Sequence, residues 1–222
     1  MNPYLMRRAL MAGGGPSLLL RDLPLGTTVW MEEDGESVPF LLICTDYLTN
    51  ETTPTGRVLM LRKYVHSSRA MGGVPYKGND VDVWLNGDYL AQLGAGVQQQ
   101  IAEITIQAHD YGGMLRHIPS RVFLLSYTEL GGTGTSYPVQ GVALPWFDAN
   151  EKRVATLSSG RGSNWSTRTQ KTNATSYAHI SGAGALNLYT ANTNAQGIRP
   201  AFTLPQYARV TQNDAGNYLL AV

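Results

Sequence analysis

Four histidines, sixteen acidic residues and one cysteine are the side chains with which this 222-residue sequence would do acid–base, metal or nucleophilic chemistry. The histidines, His66, His109, His117 and His179, are scattered. None forms an H-E-x-x-H motif or an i, i+4 pair, so helical zinc spacing is absent. Gly73 to Asp80 has the G-x-x-x-x-G frame of a phosphate loop, but Asn79 and Asp80 stand where Lys and Ser or Thr are required. A carboxylate there repels phosphate. Neither a G-x-G-x-x-G nor a G-x-S-x-G motif occurs. Asp80, Asp82, Asn86 and Asp88 invite a calcium reading, yet Trp84 occupies the place of a third oxygen ligand. Helix capping and a solvated helix face explain them better. Cys44 closes the apolar run from Pro39 and reads as a buried strand thiol. One thiol makes no intrachain disulfide. The acids cluster near turns and helix ends and offer no candidate pair for glycoside hydrolysis. No catalytic residue, metal ligand or cofactor is expected, and the chain is not expected to be an enzyme.

Composition points elsewhere. Charged residues make up 15% of the chain, against about 25% in ordinary domains. A net charge of +1 argues against nucleic acid as partner, because phosphate backbones demand a basic face. No apolar run reaches membrane-spanning length, so no membrane insertion is expected. In place of charge stand Gly (24), Tyr (12, against 4 Phe), Asn, Ser and Thr. That mixture is typical of adaptable recognition surfaces.

These residues concentrate between Ser163 and Gly197, where five Asn, four Ser and six Thr accompany only two full charges, Arg168 and Lys171. Alternation within the tract predicts strands. In Tyr177–Ile180, Ala178 and Ile180 are expected to face in, with Tyr177 and His179 out. In Leu186–Tyr189, the leucines face in while Asn187 and Tyr189 face out. Gly182-Ala183-Gly184 turns the chain between them. The outer face predicts a ligand-binding surface of Asn164, Ser166, Asn173, Tyr177, His179, Asn187, Tyr189, Asn192 and Asn194.

The elements that must position this surface are mostly strands. Thr27–Met31 and Val38–Ile43 flank Asp34-Gly35, a tight-hairpin dipeptide. Arg57–Val65 and Arg121–Leu125 read as further strands, and Tyr218–Val222 as the last. Val81, Trp84, Leu85 and Tyr89 share a helical face with Asn79 or Asp80 as N-cap, although Gly87 weakens its middle. Val97, Ile101 and Ile104 make a second short helical stripe, and Trp146–Leu157 a third candidate helix. Ser126 and Glu129 have capping-box spacing. Residues 1–17 are expected to form a short helix and a Gly-rich tether through Gly13-Gly14-Gly15, with a loose terminus as the alternative. Residues 18–222 are expected to form the ligand-binding domain.

Five blocks, in order, carry a family resemblance: Asp22-Leu23-Pro24-Leu25-Gly26, Trp84-Leu85-Asn86 within Tyr76–Asn86, Val122–Gly131, Trp165-Ser166-Thr167-Arg168, and Gly197-Ile198-Arg199-Pro200-Ala201. Together they resemble a domain-of-unknown-function family of prophage tail-region proteins and Firmicutes surface proteins. That family is related to the C-type-lectin-like fold of the formylglycine-generating enzymes. The resemblance spans residues 18 to 222. It implies an α+β, C-type-lectin-like domain with a small twisted antiparallel sheet, two helices and long irregular loops. It makes Trp84, Trp165, Arg168, Arg199 and Pro200 scaffold. It does not carry over formylglycine chemistry, since only Cys44 is present, nor calcium-dependent sugar binding, since the E-P-N, Q-P-D and W-N-D motifs are missing.

The function implied is recognition of a host cell-surface protein or glycan by a phage tail, a tail-like particle or a bacterial surface. The N-terminus would join other tail proteins or a homotrimer. The Asn-rich tract also resembles the product of a diversity-generating retroelement, with an ordinary extracellular polar loop as the alternative. Other readings are a structural tail or baseplate component and a cell-wall glycan hydrolase.

Overall fold

The computed structural model describes residues 17–48, 54–110, 114–172, 174–186 and 188–222. Strands and helices are numbered separately in chain order. An eight-stranded sheet runs β1-β14-β15-β2-β3-β4-β13-β8. Its members are β1 (Ser17–Leu19), β2 (Thr28–Glu33), β3 (Glu36–Cys44), β4 (Arg57–Arg62), β8 (Val122–Phe123), β13 (Ala201–Pro205), β14 (Arg209–Gln212) and β15 (Tyr218–Leu220). The β2–β3 hairpin closes on Asp34 and Gly35, with φ of 51° and 70°. Positive φ at both turn residues matches the right-handed twist of the flanking strands. Val58, Leu59, Met60 and Leu61 of β4 are all buried, so both sides of this strand are covered. Phe40 of β3 meets Phe202 of β13 at 5.2 Å between ring centroids. The β15–β2 pair is parallel, whereas β1 and β15 flank β14 antiparallel.

A five-stranded sheet has the order β11-β10-β9-β12-β5. It contains β5 (Ser67–Arg69), β9 (Trp165–Gln170), β10 (Ser176–Ile180), β11 (Leu188–Ala191) and β12 (Gln196–Ile198). The expected β10–β11 hairpin is present, in register from Ser176 opposite Ala191 to His179 opposite Leu188. A third, two-stranded sheet pairs β6 (Ile104–His109) with β7 (Leu115–Ser120). The architecture is mostly β with short helices, compatible with α+β. The expectation of one small sheet is corrected to three. β6 does alternate, with Ile104, Ile106 and Ala108 against Thr105, Gln107 and His109, a signal masked by placing Ile104 in a helical stripe; β5 and β7 lack such alternation.

Helix α1 (Asp80–Trp84) begins where Asn79 Oδ1 accepts the Asp82 amide at 2.9 Å. It widens into a π-helical turn, Leu85–Tyr89, around Gly87 and ends with Leu90–Gln92. The expected face, Val81, Trp84, Leu85 and Tyr89, is buried. Asp82 is also buried, which corrects the solvated-face reading. It accepts the Gly78 amide at 2.8 Å and lies 3.3 Å from the Lys77 ammonium. Helix α2 (Ala95–Gln100) stops before Ile104, which opens β6 instead of extending the helical stripe. Arg121 fastens that stop by donating to the Gln98 and Ile101 carbonyls. The Trp146–Leu157 segment holds only a 3₁₀ turn, Pro145–Phe147, and the single-turn α3 (Asn150–Arg153). The Ser126–Glu129 capping box forms reciprocally, at 3.0 and 2.7 Å, yet caps a turn because Gly131 follows at φ 82°. Of the expected N-terminal helix and tether, only Ser17 is among the described residues, and it opens β1.

Candidate functional site

The sequence-derived surface divides in the structure. Alternation along β10 holds, since Tyr177 and His179 share one face and Ala178 the other, but both faces are covered. Ala178 packs with Tyr127 and Tyr137. Tyr177 turns toward α1, donating to the Gly73 carbonyl at 2.9 Å and accepting from Asn79 Nδ2 at 3.3 Å. It is fully buried, and its expected outward orientation is corrected. His179 is 8% exposed and Ser166, its cross-strand neighbour in β9, 1%. Neither His179 Nδ1 nor Ser166 Oγ has a hydrogen-bond partner among the described residues. Burial lowers the His179 pKa. These three residues leave the recognition surface, because period-two alternation identifies two faces without saying whether one is bare.

Asn164 and Asn194 are exposed, and Asn192 is half-buried. Asn164 Oδ1 accepts the Gly182 amide at 2.8 Å, which holds the β10–β11 turn against the start of β9. The Asn192 carbonyl accepts the Gly72 amide at 3.1 Å, and Asn194 Nδ2 donates to Thr190 Oγ1 at 3.4 Å. Tyr189 is 56% exposed. Asn173 and Asn187 lie outside the described residues.

The five scaffold candidates are buried. Trp165 donates its indole N–H to the Arg153 carbonyl at 2.9 Å. Arg199 lies over its ring at 5.2 Å and donates Nε to the Arg62 carbonyl at 2.8 Å. Desolvation lowers the Arg199 pKa to about 9. Pro200 accepts the Arg62 amide at 2.9 Å. Arg168 forms a two-pronged ion pair with Glu129 at 2.7 Å on each prong and also donates to the Leu124 and Gln107 carbonyls. Tyr47 donates its hydroxyl to the same carboxylate at 2.5 Å. Trp84 packs under the Arg69 guanidinium at 3.9 Å and beside His66 and Tyr89.

What the structure gathers at the surface is a cleft of about 310 Å³ between the 133–137 loop and the hairpin. Thr133, Gly134, Thr135, Ser136, Tyr137, Lys171 and Tyr189 line it. The Lys171 ammonium sits 4.0 Å from the centroid of the Tyr189 ring. Behind it, Tyr137 packs on Tyr127 at 4.4 Å between centroids. Of the sequence-derived residues only Tyr189 belongs to this cleft. Sequence reading marks Gly131 to Gly141 as a Gly/Thr/Ser-rich loop and Lys171 as an isolated cation but assigns neither to the site.

A protein-family model, a domain of unknown function (DUF6273), matches residues 55–206, more than half of the chain. The chain belongs to DUF6273. No curated protein and no solved structure matches it. The DUF6273 region takes in the cleft, the Glu129–Arg168 pair, β4 to β13 and all the helices α1 to α3. It leaves out β1, β2, β3, β14 and β15, so the five-stranded sheet is wholly within DUF6273 and the eight-stranded one only in part.

Two other clusters bear on chemistry. Glu33, 5% exposed, takes a two-pronged pair from Arg62 and a hydrogen bond from Tyr89 at 2.8 Å. His66 beside it meets Gln92 at 3.0 Å, and burial lowers its pKa despite Glu33. This carboxylate is fully committed to holding α1 against β2 and β4. Burial, more than its neighbours, raises the Cys44 pKa. Among the described residues, no group of three or more His, Cys, Asp or Glu is arranged to hold a metal ion. No described helix is long and apolar enough to cross a membrane.

Proposed function

We propose that the chain is a non-catalytic recognition domain of a phage tail, a tail-like particle or a bacterial surface. Its ligand is a host cell-surface protein or glycan, and the five-block sequence resemblance supports a C-type-lectin-like frame. The supporting observation is the cleft, where an exposed tyrosine of β11, the lysine that follows β9 and a hydroxyl-rich loop converge at the edge of the five-stranded sheet. Exposed tyrosine gives large contact area at low entropic cost, and small polar residues adapt their hydrogen bonds. Among the described residues no carboxylate lines the cleft, which favours binding over glycan hydrolysis, since that reaction uses a carboxylic acid as proton donor. The proposed binding surface is therefore Tyr189 and Lys171 with the 133–137 loop. Diversification at the DNA level, if it operates, is confined to such exposed positions, because Ser166 and Tyr177 are core. The N-terminal segment would attach the domain to other tail proteins or a homotrimer, adding avidity to a shallow site.

The test is binding of the purified full chain to host cells by flow cytometry. The Tyr189→Ala/Lys171→Gln double variant is expected to lose at least about tenfold in binding at unchanged thermal stability. Undiminished binding by that variant removes the cleft as the site. No binding by the wild-type chain favours a structural tail or baseplate role.

A further inference from the structure

Resting on the recognition reading, we infer that the cleft is built for an anionic saccharide unit, a sugar or polyol that carries a carboxylate or a phosphodiester. Lys171 is the one charged residue in the lining, and among the described residues no carboxylate lies within ion-pairing distance of it. The Tyr189 ring, 4.0 Å away, offers the ammonium its electron-rich face and holds it at the cleft without neutralising it. The site therefore presents a positioned, uncompensated positive charge.

The rest of the lining matches hydroxyl groups. Thr133, Thr135 and Ser136 bring three hydroxyls, each able to donate and accept, and none is engaged by another described residue. Gly134, at φ 140° and with open space where a side chain would be, leaves the loop backbone accessible. The cleft lies at the small end of small-molecule pockets, which run from about 300 Å³ upward. That size suits one or two sugar rings, not a folded partner. A single lysine is also too little for a nucleic acid, whose binding neutralises several phosphates at once.

Titration calorimetry of the full chain tests the inference with three probes: polyglycerol phosphate, an oligouronic acid and a neutral maltooligosaccharide. One of the anionic probes is expected to bind and the neutral one is not; which anion binds identifies the source of the charge. Lys171→Gln should weaken that binding about ten- to hundredfold, the loss of one charge-assisted contact. Lys171→Arg should retain most of it, and 0.5 M salt should weaken it for wild type but little for Lys171→Gln. Equal binding of the neutral probe, or no effect of Lys171→Gln, overturns the charge assignment while leaving recognition intact. No binding to any probe by a chain that still binds cells also overturns it and points to a protein receptor. A chain that binds neither probes nor cells overturns both readings.

Discussion

Glu129 and Arg168 carry opposite full charges with no side-chain exposure to water. Such a pair is tolerated because every prong is used: Tyr47, the Ser126 amide and two carbonyls complete the network. Arg168→Met strands a buried carboxylate and is expected to cost about 3–5 kcal/mol in urea unfolding, with part recovered in the Arg168→Met/Glu129→Gln double variant. A pH effect follows from the histidines. Burial depresses His66, His109 and His179 below their usual value. Below about pH 6.5 the unfolded chain then binds more protons than the folded one. The stability present above that pH is lost as pH falls through it, so the urea midpoint should drop between pH 7.5 and 5.5. His179→Gln should flatten the drop. Arg168 stood out in the sequence as one of two full charges in its tract. Its partner did not, because 39 positions separate them and only the fold brings them together.

Among the elements, those governed by local chemistry were legible. The Asp34-Gly35 hairpin, the Asn79 cap and the Gly182–Gly184 turn all follow from what a few adjacent residues can do. Elements decided by distant contacts were not. β5 is a strand because Ser67–Arg69 pairs with β12, and Ser126–Glu129 remains a turn despite its capping box. The burial of Tyr177 has the same origin: the cover over its face comes from Gly73 and Asn79. One glycine shows how tightly α3 locks the hairpin turn. Gly184 has φ 79°, its carbonyl accepts from Arg153 at 3.0 Å, and an added Cβ would fall 1.9 Å from the Asn150 carbonyl oxygen. Gly184→Ala is expected to cost about 1–3 kcal/mol through strain and overpacking, read as a lower thermal midpoint.

At the level of the whole molecule, the low charge and the surplus of small polar residues have two destinations. Part of the tract that carries them lies inside a double-sided sheet, as Thr167, Thr169 and Gln170 do in β9. From another part, Lys171 and Tyr189 meet the 133–137 loop to form the cleft. Bulk composition thus reveals a surplus of small polar residues but cannot apportion them between the sheet interior and water. The family boundary makes a related division. DUF6273 ends at residue 206, while β14 and β15 beyond it complete the larger sheet together with β1, β2 and β3 before it.

That arrangement bears on how the domain carries load. β1 and β15 run in the same direction on either side of β14. A pull on the chain before Ser17 and beyond Leu220 therefore drags the two strands along β14 in opposite senses. The ladder hydrogen bonds are loaded side by side and must yield together, instead of opening one at a time as in a zipper. A domain held through one end and pulled through the other would bear that load on this short clasp.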